Sequence, residues 1–187
     1  MSTEPKYTRT DSAHPETARR DDRLPTPDVP IASQTLRPIE WSEGARFGGR
    51  ELPLSRMAGA RQVHVNLSVV PAGKQSCPLH YHLREEEHFF VLEGRCVLRS
   101  GDARHTVGPG DYVCFPAGTG VAHAFENPFE ADCALLAIGP ADPAEIAVYP
   151  ESGKAKLRAT GSIVPWPQPS LDYWAGEAVD APVKRES

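Results

Sequence analysis

Residues 87–118 read EHFFVLEGRCVLRSGDARHTVGPGDYVCFPAG. Within this stretch, short apolar runs are each cut off by turn residues: Glu93-Gly94, Gly101-Asp102, Gly108-Pro109-Gly110-Asp111 and Pro116-Ala117-Gly118. Glycine reaches backbone conformations closed to other residues and proline removes a ladder donor, so strands end at such points. The same grammar extends outward on both sides. RQVHVNLSVV (61–70) sets Val63, Val65, Leu67 and Val69 against His64, Asn66 and Ser68 with period two, then stops at Pro71-Ala72-Gly73. VAHAF stops at Asn127-Pro128, and DCALLAI closes at Gly139-Pro140. No run of helical period longer than about ten residues interrupts the region. The fold class is all-β, a sandwich or barrel, in which closure removes open sheet edges.

Length and composition bound the rest. A chain of 187 residues with 40% hydrophobic and 24% charged residues suits one domain with its own core. A formal charge of −5 offers no basic surface, so neither nucleic acid nor a membrane is expected as a partner. No apolar run approaches the roughly 18 residues of a membrane span. The first 30 residues lack a signal-peptide core and mix Arg with Asp and Glu, so a cytoplasmic location is expected.

The chain divides into three parts by character. Residues 1–35 hold too few large apolar side chains to offset their ordering entropy and are expected to be disordered or draped. Residues 36–140 supply the barrel. Residues 141–187, with the run VPWPQPS and the aromatics Tyr149, Trp166, Tyr173 and Trp174, are expected to pack on the barrel or on a partner subunit of a homodimer. Cys77, Cys96, Cys114 and Cys133 lie 18 or 19 residues apart with no CxxC pair, which reads as buried free thiols.

Chemistry concentrates in HYHLREEEHFF (80–90). His80 and His82, two apart on a strand, share one face and can reach one ion, while Tyr81 points away. If Glu87 faces inward, Phe89 and Val91 follow it, and Glu86, His88 and Phe90 take the other side. An interior lined by Glu87, Phe89 and Val91 is chemically coherent, so parity selects Glu87. Glu85 and Glu86 read as a solvated turn. Of the other histidines, His14 and His105 fall in polar surroundings, His64 lies on the polar face of its strand as a possible pocket residue, and His123 sits on a short apolar strand.

Together these residues resemble the cupin superfamily. Its first motif is matched by Gly73, by His80-Tyr81-His82, by Glu87 with four residues between it and His82, and by Gly94 with six residues between it and Glu87. GDYVCFPAGTGVAHAFEN (110–127) matches the second through Gly110, Pro116, Gly118, His123 and Asn127, with four residues between Gly118 and His123 where two are usual. The 15 residues between Gly94 and Gly110 resemble small single-domain bacterial members. The resemblance implies a double-stranded β-helix (jelly-roll barrel) and one divalent metal held by His80, His82, Glu87 and His123.

Three imidazoles and one carboxylate suit Fe, Mn, Ni, Co or Zn, and the net positive centre favours a small anionic ligand. The expectation is a metal-dependent enzyme, with dioxygenase (oxidoreductase) chemistry as first guess beside decarboxylase, lyase or isomerase chemistry. The alternative is a non-catalytic binding or sensing protein with a structural metal. No general base stands out, so the catalytic residues are unassigned. His64, Phe89, Val91 and Phe125 are the candidate substrate-pocket residues.

Overall fold

The structure, a computed structural model, describes residues 30–168 together with 172, 173 and 175. Most of the segment expected to be disordered (1–29), and Trp174 with 176–187, lie outside the described residues.

Thirteen strands are described, all paired antiparallel: β1 Ile39–Glu43, β2 Phe47–Leu52, β3 Val63–Val70, β4 Tyr81–His82, β5 Glu87–Glu93, β6 Cys96–Ser100, β7 Ala103–Val107, β8 Tyr112–Phe115, β9 His123–Glu126, β10 Cys133–Pro140, β11 Ile146–Tyr149, β12 Lys154–Leu157 and β13 Ser162–Pro165. One helical turn, α1 (Leu54–Met57), follows β2. A six-stranded sheet runs β1-β2-β3-β10-β5-β8. Opposite it stand a three-stranded sheet, β7-β6-β9, and a four-stranded one, β13-β12-β11-β4. Residues 75–82 join these two, because Gln75 bridges Glu126, His80 bridges His123, and Tyr81 and His82 pair with β11. The result is a jelly-roll barrel.

Register decides what faces inward, since directly paired residues share a face. Val70 lies opposite Cys133, and Leu135 opposite both Ser68 and Val91. These side chains meet Cys96, Leu98, Phe115 and Phe125 in the core. The inward face of β3 is therefore His64, Asn66, Ser68 and Val70, the mostly polar face. The apolar alternation Val63, Val65, Leu67 and Val69 points outward instead. It joins an outer row that crosses five strands: Leu52, Leu67, Leu136, Phe90 and Tyr112 are successive partners. Phe90 and Tyr112 on this row are exposed, as is Val63 beside it.

A second correction concerns Glu85, expected to be solvated. It is 3% exposed. Its carboxylate pairs with the Arg158 guanidinium, Nη2 lying 2.7 Å from Oε2, and accepts the Asp142 N–H at 2.6 Å. The partners come from beyond β10, so nothing in the local charge run reveals them. The cysteines are free thiols; Cys96 and Cys133 are buried side by side, while Cys77 and Cys114 are partly buried.

Gly94 closes the β5–β6 turn at φ +70°, and a Cβ there would stand 2.0 Å from the Asp132 carbonyl oxygen. Both a left-handed backbone and a backbone clash oppose any side chain. Gly94→Ala is expected to lower the unfolding free energy by about 2 kcal/mol or more, measured by urea titration against the parent chain.

Candidate metal centre

Segment 75–82 sets the site. His80 N–H donates to the His123 carbonyl at 3.2 Å and His123 N–H to the His80 carbonyl at 2.7 Å. A pair that exchanges both bonds presents its side chains on one face, and His82, two residues on, presents its ring on the same face. From the opposite sheet, Glu87 at the start of β5 pairs with Phe115 and faces inward. The four side chains expected to be ligands converge. Ring centroids lie 4.9 Å apart for His80 and His82, 5.0 Å for His80 and His123, and 6.3 Å for His82 and His123. Glu87 Oε2 accepts a hydrogen bond from His123 Nε2 at 2.8 Å and lies 3.2 Å from His82 Nε2. Ligand atoms of His80, Glu87 and His123 all fall within 4.8 Å of one another.

The rings are oriented from behind. His80 Nδ1 is 3.0 Å from the Pro78 carbonyl, which places the proton on Nδ1 and leaves the Nε2 lone pair available. His82 Nδ1 lies 3.3 Å from Glu145 Oε1, a carboxylate 1% exposed that also accepts the N–H groups of Leu83 and Arg84 at 3.0 Å each. The Phe115 ring stacks on His123 at 3.7 Å and 8°, and the Tyr149 ring on His80 at 5.6 Å and 24°.

A test of fit for a metal comes from satisfaction of these nitrogens. Both ring nitrogens of His82 and Nδ1 of His123 are buried without a hydrogen-bond partner. The carboxylate oxygens near His82 are close enough but poorly aligned. Leaving such atoms unsatisfied is costly, and an ion accepting the imidazole lone pairs would relieve part of that cost. Protonation favours the same reading. Burial pushes Glu87 up, but the hydrogen bond from His123 and the close approach of the His82 and His80 rings outweigh it and hold the carboxylate well below its usual range. Burial pushes His123 down, against the opposing hydrogen bond to Glu87. An ionised carboxylate beside neutral imidazole is the ligand form that divalent metals take. The donor set therefore fits a transition-metal ion.

The expected pocket residues separate by depth. His64 is exposed on β3; desolvation pushes its pKa below the ordinary value, with the charges of Glu85 and Glu87 opposing and Arg158 acting in the same direction as desolvation. Phe89 borders both regions, with its ring 5.9 Å from His123 and 4.8 Å from Phe125. Val91 and Phe125 are 3% and 2% exposed and belong to the core.

Three groups escaped the sequence. Glu145 and Glu85 carry no local signal, since each acts through residues distant in the chain. Glu51 lies on β2 opposite Ser68, hence on the inward face, and accepts the Ser68 hydroxyl. Gly49 makes room there: a Cβ would stand 3.0 Å from Trp41 Nε1 and 3.4 Å from Glu51 Oε1. The β2 strand gives only the weak alternation Phe47, Gly49, Glu51. Burial pushes the Glu51 carboxyl up to about 7, with the Ser68 hydrogen bond opposing.

Comparison with known proteins follows the same lines. The family model for the Cupin domain matches residues 66–139. A sugar phosphate isomerase of the cupin superfamily from Silicibacter pomeroyi is 31% identical, covers 67% of this chain with 81% of its own length, and superposes with a TM-score of 0.62. A protein from Acidithiobacillus ferrooxidans, provisionally assigned as a sugar phosphate isomerase, is 24% identical, with 84% of this chain and 97% of that one covered and a TM-score of 0.67. A predicted oxalate decarboxylase from Thermotoga maritima is 21% identical over 60% of this chain and 98% of its own, with a TM-score of 0.52. The last two show likeness of fold alone. A comparison with curated proteins gives no match.

The raised Glu51 carboxyl makes stability depend on pH with a defined sign. Between 4.5, the ordinary value, and about 7, the folded chain holds a proton that the unfolded chain has lost. Folding is thus favoured by protons, and this contribution falls as pH rises through that window and is level above it. Urea titrations at successive pH values should show the decline in the parent chain, and Glu51→Gln should remove it.

Proposed function

This chain belongs to the cupin superfamily, and on that premise we propose that it is a metal-dependent enzyme that interconverts the aldose and ketose forms of a small phosphorylated sugar. The observation that carries the reading is the convergence of His80, His82, Glu87 and His123 on one face, with Glu87 Oε2 shared between two imidazoles. The reaction class is supported by the Silicibacter pomeroyi sugar phosphate isomerase at 31% identity. A bound divalent ion supplies Lewis acidity toward the carbonyl and adjacent hydroxyl oxygens of an open-chain sugar.

The chain's own residues do the rest. With a divalent ion held by three imidazoles and one carboxylate, the centre would be net positive and would attract an anionic substrate. Phe115 and Phe89 form the apolar floor, which restricts water beneath the cluster. Isomerisation moves a proton between adjacent carbons, and two protonatable groups outside the ligand set face the interior. His64 lies on β3, and Glu51 on β2 accepts the hydroxyl of Ser68 on β3. Glu51, pushed up by burial to about 7, has the buffering range that proton transfer near neutral pH requires.

Metal analysis of the full chain purified without chelator is expected to give close to one divalent ion per chain. His82→Ala should remove most of it, and Glu145→Gln should weaken metal affinity roughly 10–100-fold by releasing the His82 ring. Full retention in His82→Ala would sink the assignment of ligands. Turnover is read by following aldose and ketose phosphates with NMR in the metal-loaded protein. Metal-dependent oxygen uptake with carboxylates or diketones, in the absence of isomerisation, would replace this reading with dioxygenase chemistry. No turnover with any metal would leave a binding or sensing protein.

We also propose a homodimer through the part of the outer row that the chain leaves uncovered, the exposed Phe90 and Tyr112 with the half-buried Leu67 and Leu136 beside them, an apolar sheet face of the kind that subunit interfaces cover. Sedimentation at micromolar concentration should show the dimer, and Phe90→Glu should shift it to monomer. A monomeric parent chain would refute the interface.

A further inference from the structure

The β5–β8 pair carries a second cluster of metal-ligating side chains, on the face turned away from the inner cluster. His88 pairs with Cys114 across the two strands, and directly paired residues present their side chains on one face. Glu86, two residues before His88, and Tyr112, two before Cys114, take the same side, while Glu87 points to the other. One donor atom each from Glu86, His88 and Cys114 lie within 4.8 Å of one another. The His88 ring spans two polar groups: Nδ1 is 2.7 Å from the Tyr112 hydroxyl, and Nε2 is 3.2 Å from Glu86 Oε1. The Tyr112 ring stacks on it at 6.0 Å and 20°. Strand β8 ends the six-stranded sheet, and Glu86 and Tyr112 are exposed, so solvent reaches the cluster.

We propose that Glu86, His88 and Cys114 form a second divalent-cation site, on the outer face of the barrel, for a thiophilic ion of the zinc class. A thiolate beside an imidazole selects zinc or cobalt over hard cations such as magnesium and calcium. Zinc bonds of about 2.0 Å to nitrogen and oxygen set two tetrahedral donors roughly 3.3 Å apart. His88 Nε2 and Glu86 Oε1 already stand at 3.2 Å. With Nδ1–H donated to the Tyr112 hydroxyl, the Nε2 lone pair faces the Glu86 carboxylate, so Tyr112 is a positioning residue. On binding, Cys114 releases its proton to solvent and a sulfur lone pair forms the bond to the ion. Thiolate and carboxylate together cancel the charge of a divalent ion, so the loaded site is neutral and draws no anionic substrate. The fourth position is left to water. With three donors in contact with solvent, the site holds its ion more loosely than the inner cluster does. It fills when metal is supplied, and the chain as purified carries the inner ion alone.

The test titrates the full chain, kept reduced, with Co²⁺ and follows the near-ultraviolet charge-transfer band of a cobalt-bound thiolate. The band should appear and saturate with one cobalt per chain beyond the inner ion, and Zn²⁺ should abolish it by displacement. Cys114→Ser should remove the band. Glu86→Gln should weaken Co²⁺ affinity by roughly tenfold or more, since losing a ligand costs at least what losing the partner behind a ligand does. Cys114 is only partly buried, so the serine variant should keep the parent melting temperature. Should it not fold, His88→Gln, with the thiol intact, carries the test through the same loss of affinity. A second thiol separates the two clusters: Cys77 Sγ lies 3.6 Å from His80 Nδ1, and Cys77→Ser should leave the band unchanged. His82→Ala, which empties the inner cluster, should leave it unchanged too. The outer site is overturned if saturating Co²⁺ gives no thiolate band, or if the band survives Cys114→Ser. It is equally overturned if Cys77→Ser or His82→Ala abolishes the band, which would put the thiolate on the inner ion.

Discussion

His80 and His123 exchange two backbone hydrogen bonds, and the rest of the site depends on that pairing. It draws residues 75–82 in beside β9, so that the three-stranded and four-stranded sheets become one wall of the barrel. Because pairing fixes the face, both histidines point inward, and the pleat delivers His82 to the same side. Glu87 arrives from the opposite wall through its pairing with Phe115, whose ring also stacks on His123. A slip of one residue in either pairing would turn the ligand set outward and put Tyr81 or Glu86 in its place.

Behind this face lies a buried charge network that the barrel motif alone does not supply. Glu85 and Glu145 are 3% and 1% exposed. Each carboxylate is surrounded by donors: Arg158 and the Asp142 N–H for Glu85, the Leu83 and Arg84 N–H groups for Glu145. Burying a carboxylate is tolerable only with such compensation. The Arg158 N–H in turn donates to the Glu145 carbonyl at 2.9 Å. The β4–β5 turn is thereby clamped to the strands that follow β10, and those strands carry the group behind His82. The residues beyond the matched family region are thus structurally coupled to the metal centre.

Legibility followed the range of the interactions. Strands β3 and β5–β10 were readable because Gly and Pro punctuation and period-two alternation are local. The convergence of His80, His82 and Glu87 was readable because parity on a strand is local too. His123 gained meaning only through the second motif. What lay hidden was set by partners far along the chain. Glu85 looked like part of a solvated charge run, and only Arg158, 73 residues away, makes it a buried ion pair. The β3 alternation was visible, but not which face would turn inward. Val63, Val65, Leu67 and Val69 face out on a sheet whose outer surface is apolar as well, and composition cannot distinguish a core face from an apolar outer one. Glu51 was invisible because β2, with adjacent glycines, has little strand signature.

The overall charge of the chain is a poor guide to the field at its site. At −5 the protein repels anions at long range, and a count of charges would argue against a phosphorylated ligand. The distribution argues otherwise. Glu85 is neutralised by Arg158, and Glu87 is shared between imidazoles; Glu145 sits behind His82, away from the opening. At physiological ionic strength exposed charges more than about 8 Å away are largely screened, whereas groups within a desolvated cleft act at nearly full strength on one another. An anion at the metal centre would therefore respond to the groups beside it more than to the acidic remainder of the surface.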